Sequence, residues 1–211
     1  MKRIGITQRV ELAADITERR DCLDQRFGPL LQQLSLVPVP LLNSVREVPA
    51  YVEALGLDGV ILSGGNDVGA FPGAESVSAE RDRFETELIQ LCREQRLPLL
   101  GICRGLQLLC QLHGAEAFRV PGHVATRHIV IPQGEGRGLW PDPMRVNSFH
   151  GYGVGKLPQD CPLQVWASDE EGGIEAVANP SALQFAVMWH PEREPALSHA
   201  DHRLFGRVFS I

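Results

Sequence analysis

Leu97-Pro98-Leu99-Leu100-Gly101-Ile102-Cys103-Arg104-Gly105-Leu106-Gln107-Leu108-Leu109-Cys110-Gln111-Leu112 changes character at its middle. Residues 97–102 form a near-continuous apolar run, as in a strand buried on both faces. Residues 104–112 place apolar side chains at helical spacing. The G-x-C-x-G turn between them reads as a nucleophile elbow. Its glycines permit a tight, strained turn that pushes the central side chain out at the end of the strand. The positive end of the following helix favours thiolate, and the Arg104 N–H is placed to meet an oxyanion. Alone, these five residues fit a buried structural cysteine about equally well.

On the N-terminal side, apolar runs alternate with helical patterns. Strands are expected over 3–8 and 59–63, and a proline-bearing edge strand over 36–41. Helices are expected over 18–34, 48–55 and 81–95, the first broken or kinked at Gly28-Pro29. In the third, Phe84, Leu88, Leu91 and Cys92 make the apolar stripe, and Asp82 and Glu85 suit the first turn. This alternation predicts a parallel sheet covered on both faces. Beyond the elbow, strand patterns at 128–131, 144–149, 163–168, 174–178 and 185–189 have few helices between them, and a helix over 202–209 closes the chain. The expected fold is therefore one α/β domain over 1–211. It has a central, mainly parallel sheet with helices on both faces and accessory antiparallel strands.

Composition narrows the function classes. The chain has 211 residues, 44% apolar and 22% charged, which suits a globular core and excludes global disorder. Twenty Lys and Arg against 26 Asp and Glu give a net charge of −6, which argues against a nucleic-acid partner. No apolar run approaches the roughly 20 residues of a membrane span, and residues 1–7 read as a strand, not a leader peptide. Five cysteines, an odd number without a CxxC pair, point to free thiols and a cytoplasmic location.

A cysteine nucleophile needs a base, and the base an orienting group. His190, in Trp189-His190-Pro191-Glu192, follows the 185–189 strand, and Glu192 stands close enough to hold the imidazole. A surface H-P-E turn fits the same residues. Gly64-Gly65 ends the 59–63 strand, where paired glycines let a backbone N–H approach a ligand. Gly65 is the second candidate oxyanion donor, although a simple turn fits it too.

Taken together, Ser63-Gly64-Gly65-Asn66-Asp67, Gly101-Ile102-Cys103-Arg104-Gly105-Leu106-Gln107 and Trp189–Glu192 resemble the class I glutamine amidotransferase superfamily. The wording resembles its peptidase C26 branch, the γ-glutamyl-γ-aminobutyrate hydrolase type. The resemblance implies a flavodoxin-like sheet and a triad of Cys103, His190 and Glu192. It implies an oxyanion hole from the N–H groups of Gly65 and Arg104, and a glutamyl pocket formed by Gly64, Gln107, Ser148, Phe149 and His150. The implied reaction is hydrolysis of a γ-glutamyl amide through a thioester, without a cofactor. His113–Arg119 and His150-Gly151-Tyr152 depart from the branch where the leaving amine is selected.

Residues 5–11, 20–26, 122–125 and His128 are similar to short bacterial hydrolases of γ-glutamyl-CDP-amidate in surface-polysaccharide phosphoramidate synthesis. That resemblance makes Arg9, Arg26, His123, Arg127 and His128 candidates for diphosphate contacts, with ordinary surface as the alternative. No cysteine or carboxylate stands at ligand spacing from His123 and His128, so no metal is expected. The other substrates considered are γ-glutamyl-γ-aminobutyrate or a γ-glutamyl polyamine. A glutaminase subunit feeding a synthase partner, a homodimer and a non-enzymatic binding protein on the same scaffold also fit.

Overall fold

The computed structural model describes residues 1–13 and 17–211. The chain runs β1 (Lys2–Ile6), β2 (Arg9–Leu12), β3 (Arg19–Cys22), α1 (Phe27–Gln33), β4 (Leu36–Pro40), α2 (Val48–Leu55) and β5 (Gly59–Leu62). It continues through α3 (Ala79–Gln95), β6 (Leu99–Ile102), α4 (Arg104–Leu112), β7 (Ala117–Arg119), β8 (Val124–Pro132), α5 (Gly136–Leu139) and β9 (Met144–Phe149). It ends with β10 (Tyr152–Val154), β11 (Gln164–Asp169), β12 (Ile174–Asn179), β13 (Gln184–Val187) and α6 (His199–Phe209).

Nine strands form one sheet in the order β4-β1-β5-β6-β13-β12-β11-β8-β9. The first five are parallel, and from β13 onward each neighbour is antiparallel. The antiparallel strands thus extend the central sheet itself. Apolar side chains on both faces explain the continuous runs. Val60, Leu62 and Leu99 face α2, α3 and α4, while Ile61, Leu100 and Ile102 face the layer of α1 and α6. Phe84 in one layer and Phe205 in the other are fully buried, each contributing roughly 1.5–3 kcal/mol.

One expected element is corrected. The helix over 18–34 is in fact strand β3 followed by α1. The β3 sequence Arg-Arg-Asp-Cys pairs with β2 in a polar two-stranded hairpin. Gly28-Pro29 lies in the first turn of α1, where a missing N–H costs no helical hydrogen bond, so it starts the helix instead of breaking it. The polar hairpin β2–β3 and the three-residue pair β7–β10 carry too little apolar pattern to be read beforehand.

Sheet register positions the site. β5, β6 and β13 are parallel neighbours, with Leu62 beside Gly101 and Val187 beside Ile102. Their carboxyl ends therefore deliver Gly64-Gly65, Cys103 and His190 to one edge of the sheet, where open α/β sheets place their ligands.

Candidate active site

Cys103 caps α4 with φ 53° and ψ −100°, in a region that a non-glycine residue seldom occupies. Its neighbours explain why the turn is built this way. A Cβ on Gly101 would lie 2.7 Å from the Gly105 carbonyl carbon, and one on Gly105 would lie 2.7 Å from the Leu62 oxygen. Only glycine lets the first turn of α4 sit directly on β5 and β6. Cys92 and Cys110 are also buried, but in apolar surroundings. Burial pushes the Cys92 thiol up to about 12 and raises that of Cys110 as well, which leaves both inert.

His190 follows β13 and is buried. Its Nδ1 lies 2.6 Å from Glu192 Oε1. A carboxylate at that position accepts, so Nδ1 carries the proton and Nε2 is left for the Cys103 side. Burial disfavours the imidazolium, but Cys103 and Glu192 on either side of the ring outweigh it and raise His190 to about 9. Asn147, on β9, fixes the backbone of the histidine. It donates from Nδ2 to the His190 carbonyl at 2.8 Å and accepts from the His190 N–H at 2.9 Å. A Cβ on Gly64 would lie 2.6 Å from His190 Cε1, so this glycine also keeps open the space beside the ring.

Beneath the loop after β5 lies a network that sequence reasoning misses. Arg81 is fully buried. It donates to the carbonyls of Ser63 (2.7 Å), Gly64 (3.1 Å) and Gly65 (2.6 Å). Its Nε donates to Glu85 at 2.8 Å, and Glu85 also pairs with Arg104. Arg104 reaches Asp82 too. One carboxylate thus couples the elbow helix to the loop that carries Gly65. Burial lowers Arg81 to about 10, with Glu85 opposing. The readable signal is that Arg81, Phe84, Glu85 and Leu88 share one helical face, at i, i+3, i+4 and i+7.

The other candidate residues separate into groups. Gln107 is buried and donates to the Tyr152 carbonyl at 2.9 Å. Ser148 is buried and donates to the His123 carbonyl at 2.7 Å. Both side chains hold backbone. Phe149 packs edge-on against His190, with ring centres 5.7 Å apart, and the Arg193 guanidinium lies 4.4 Å from its centroid. A cleft before Gly64, Gly65 and His190 is walled by Arg9, Asp24, Phe27 and Arg193. Arg9 is half exposed and pairs with Glu11, while Arg26 pairs with Asp24 and holds that carboxyl down at about 2.

The basic candidates on β8 lie on opposite faces of the strand. Side chains alternate along a strand, so Arg127 pairs with Glu194 at 3.0 Å while His128 projects to the opposite face. There His128 Nε2 lies 3.3 Å from Glu175 Oε2. His123 Nδ1 lies 3.3 Å from His150 Nε2, and His150 Nε2 lies 3.6 Å from Glu175 Oε1. The carboxylate that local spacing around His123 and His128 does not supply comes from β12. The sequence signal for it is a single glutamate in the otherwise apolar strand over 174–178.

Residues 3–192 match the peptidase C26 family model. The chain belongs to the peptidase C26 family. It is a hydrolase acting on C–N bonds. It is 32% identical to the γ-glutamyl-CDP-amidate hydrolase of Campylobacter jejuni over 199 residues, covering 93% of this chain and 92% of that one. It is also 32% identical to a glutamine amidotransferase-like protein of Lactococcus lactis, over 85% of this chain and 82% of that one. Among solved structures, a glutamine amidotransferase of Thermotoga maritima shares the fold. Its TM-score is 0.64 at 19% identity, over 90% of this chain and 76% of that one. Among the described residues, no helix is long and apolar enough to cross a membrane.

Proposed function

We propose that this C26 hydrolase cleaves a γ-glutamyl amide through a γ-glutamyl thioester on Cys103, with γ-glutamyl-CDP-amidate as its preferred substrate. The observation that carries the reading is the strained Cys103 turn facing a His190 whose Nδ1 is held 2.6 Å from Glu192. The Cys103 sulfur attacks the γ-carbonyl carbon. The N–H groups of Gly65 and Arg104 receive the resulting oxyanion. The protonated His190 gives its proton to the leaving nitrogen, and the C–N bond breaks. Water, deprotonated by His190, then opens the thioester, releasing glutamate and restoring the thiol.

Gly64 and Phe149 shape the glutamyl pocket, while Gln107, Ser148 and His150 support its walls. The nucleotide preference rests on the Campylobacter relative and on the arginines that border the cleft. Arg9 and Arg193, which line the cleft, and Arg26, which pairs with Asp24 on its wall, suit a diphosphate leaving group.

The test is glutamate release from γ-glutamyl-CDP-amidate, γ-glutamyl-γ-aminobutyrate, a γ-glutamyl polyamine and glutamine. The nucleotide substrate is expected to lead by at least about 100-fold in kcat/KM, because the arginines have no partner on the others. Cys103→Ala is expected to abolish release, and full activity in that variant overturns the mechanism. Preference for an alkylamine overturns the nucleotide assignment. Turnover of glutamine only beside a synthase replaces the reading with a glutaminase that feeds a partner.

A further inference from the structure

We infer that His123, His128, His150 and Glu175 form a binding site for a single zinc-type divalent metal ion, separate from the cysteine chemistry. The argument begins with distances. The four residues offer ligand atoms that all lie within 4.8 Å of one another. Neighbouring atoms are 3.3 Å apart between His123 Nδ1 and His150 Nε2, and 3.3 Å apart between His128 Nε2 and Glu175 Oε2. Tetrahedral zinc with bonds of about 2.0–2.1 Å holds its ligand atoms about 3.3–3.4 Å apart. The cluster is therefore nearly at coordination spacing.

Hydrogen bonding alone explains the cluster poorly. His150 Nδ1 lies 3.0 Å from the Tyr152 carbonyl, which can only accept, so Nδ1 holds the proton and Nε2 presents a lone pair. A backbone carbonyl fixing the far nitrogen is the usual support of a metal-bound histidine. Gln107 donates to the same carbonyl and holds it in place. His128 Nε2 and Glu175 Oε2 are close but out of line for a hydrogen bond, and neither has a partner among the described residues. His128 Nδ1 lacks one as well. Unpaired buried polar atoms are costly, and three in one cluster call for a ligand.

The sign of the ligand follows from Glu175. A buried carboxylate among three imidazoles repels a phosphate but completes a cation's donor set. Three nitrogens and one carboxylate oxygen are a zinc-type set, and four protein ligands make a closed site. The ion would join β8, the turn after β9, and β12. His150 follows Phe149, which packs on His190, so the ion would stiffen the wall next to the reacting centre without touching substrate.

The test uses tag-free full-length protein, stripped with a chelator and titrated with Zn²⁺, with Co²⁺ as a spectroscopic probe. About one equivalent is expected to bind, raising Tm, and Co²⁺ is expected to give the intense visible bands of a tetrahedral site. Glu175→Gln and His128→Gln preserve shape. Each is expected to weaken Zn²⁺ binding by at least about 100-fold, more than the loss of a supporting hydrogen bond. No bound metal and no Tm change in the parent protein overturn the site. Undiminished binding in both variants overturns it equally. Metal content and Tm are read without substrate, so failure of the proposed reaction leaves this result unaffected.

Discussion

Glu85 and Glu175 are both almost completely buried beside basic groups, yet their surroundings differ in one decisive respect. Glu85 lies between Arg81 and Arg104, and Arg81 spends its remaining donors on three loop carbonyls. Glu175 lies among imidazoles, with one oxygen lacking a hydrogen-bond partner among the described residues. The first arrangement gives each oxygen of its carboxylate an arginine partner, and among the described residues leaves only the Arg104 Nε unpaired at its edge. The second has the incomplete bonding of a receptor. Two buried carboxylates in one molecule therefore separate structure from binding by how fully their neighbours satisfy them.

The largest expected effect breaks the arginine–glutamate network. Arg81→Met leaves Glu85 and the 63–65 carbonyls short of a partner. It should cost about 3–5 kcal/mol in urea unfolding, the penalty for removing one side of a buried pair. A loss below about 1 kcal/mol would show that the network is incidental. Next comes Gly64→Ala. The added methyl meets His190 Cε1, so the imidazole must move while the rest of the core is untouched. A drop of about 100-fold in kcat with little change in Tm is expected, because displacement of a reacting group by about 1 Å has that effect. An unchanged kcat would mean that the ring position is not critical.

Strand positions are legible in both halves of the sheet, with β9 read at its observed bounds and β11 and β12 within a residue, whereas which antiparallel strands lie side by side is not. Continuous apolar runs and the G-x-C-x-G turn are local features, so β5, β6, α4 and the position of Cys103 can be read from short windows. Helix 48–55 is legible at its observed bounds for the same reason. The antiparallel half brings together residues far apart in the chain. His123 and Glu175 are neighbours only because β8, β11 and β12 lie side by side, and no local spacing encodes that. Likewise Arg127 and His128, adjacent in sequence, group naturally as phosphate contacts until strand alternation separates them. The buried role of Arg81 goes unread because a charged side chain early in a helix reads as solvated, and only the face it shares with Phe84 and Leu88 says otherwise.

A smaller effect sharpens the chemistry of His190. Its pKa of about 9 in the fold lies above the ordinary histidine value of about 6.5. The protonated ring therefore stabilises the fold fully below about pH 6.5, and this contribution is lost as pH rises through about 9. Cys103→Ala removes one of the groups that raise the pKa. The histidine should then titrate lower, and the fall in unfolding free energy between about pH 6.5 and 9 should flatten. An identical slope in both proteins would show that the sulfur does not influence the ring.

The smallest effect is the one that tells the two carboxylates apart. In metal-stripped protein, Glu175→Gln removes a buried charge without a full set of partners, so stability should change by less than about 1 kcal/mol or rise. Glu85→Gln removes a charge that two arginines require and should cost about 3–5 kcal/mol under the same conditions. Adding Zn²⁺ should reverse the ranking at position 175 alone. The parent protein gains stability with zinc concentration, and Glu175→Gln gains little, because only ligands that bind the folded state shift its equilibrium. Glu85→Gln keeps the whole zinc increment, since its network shares no residue with the histidine cluster. Equal losses at both positions without metal would mean that Glu175 is as structural as Glu85. The imidazoles would then be its permanent partners, and not the open side of a site.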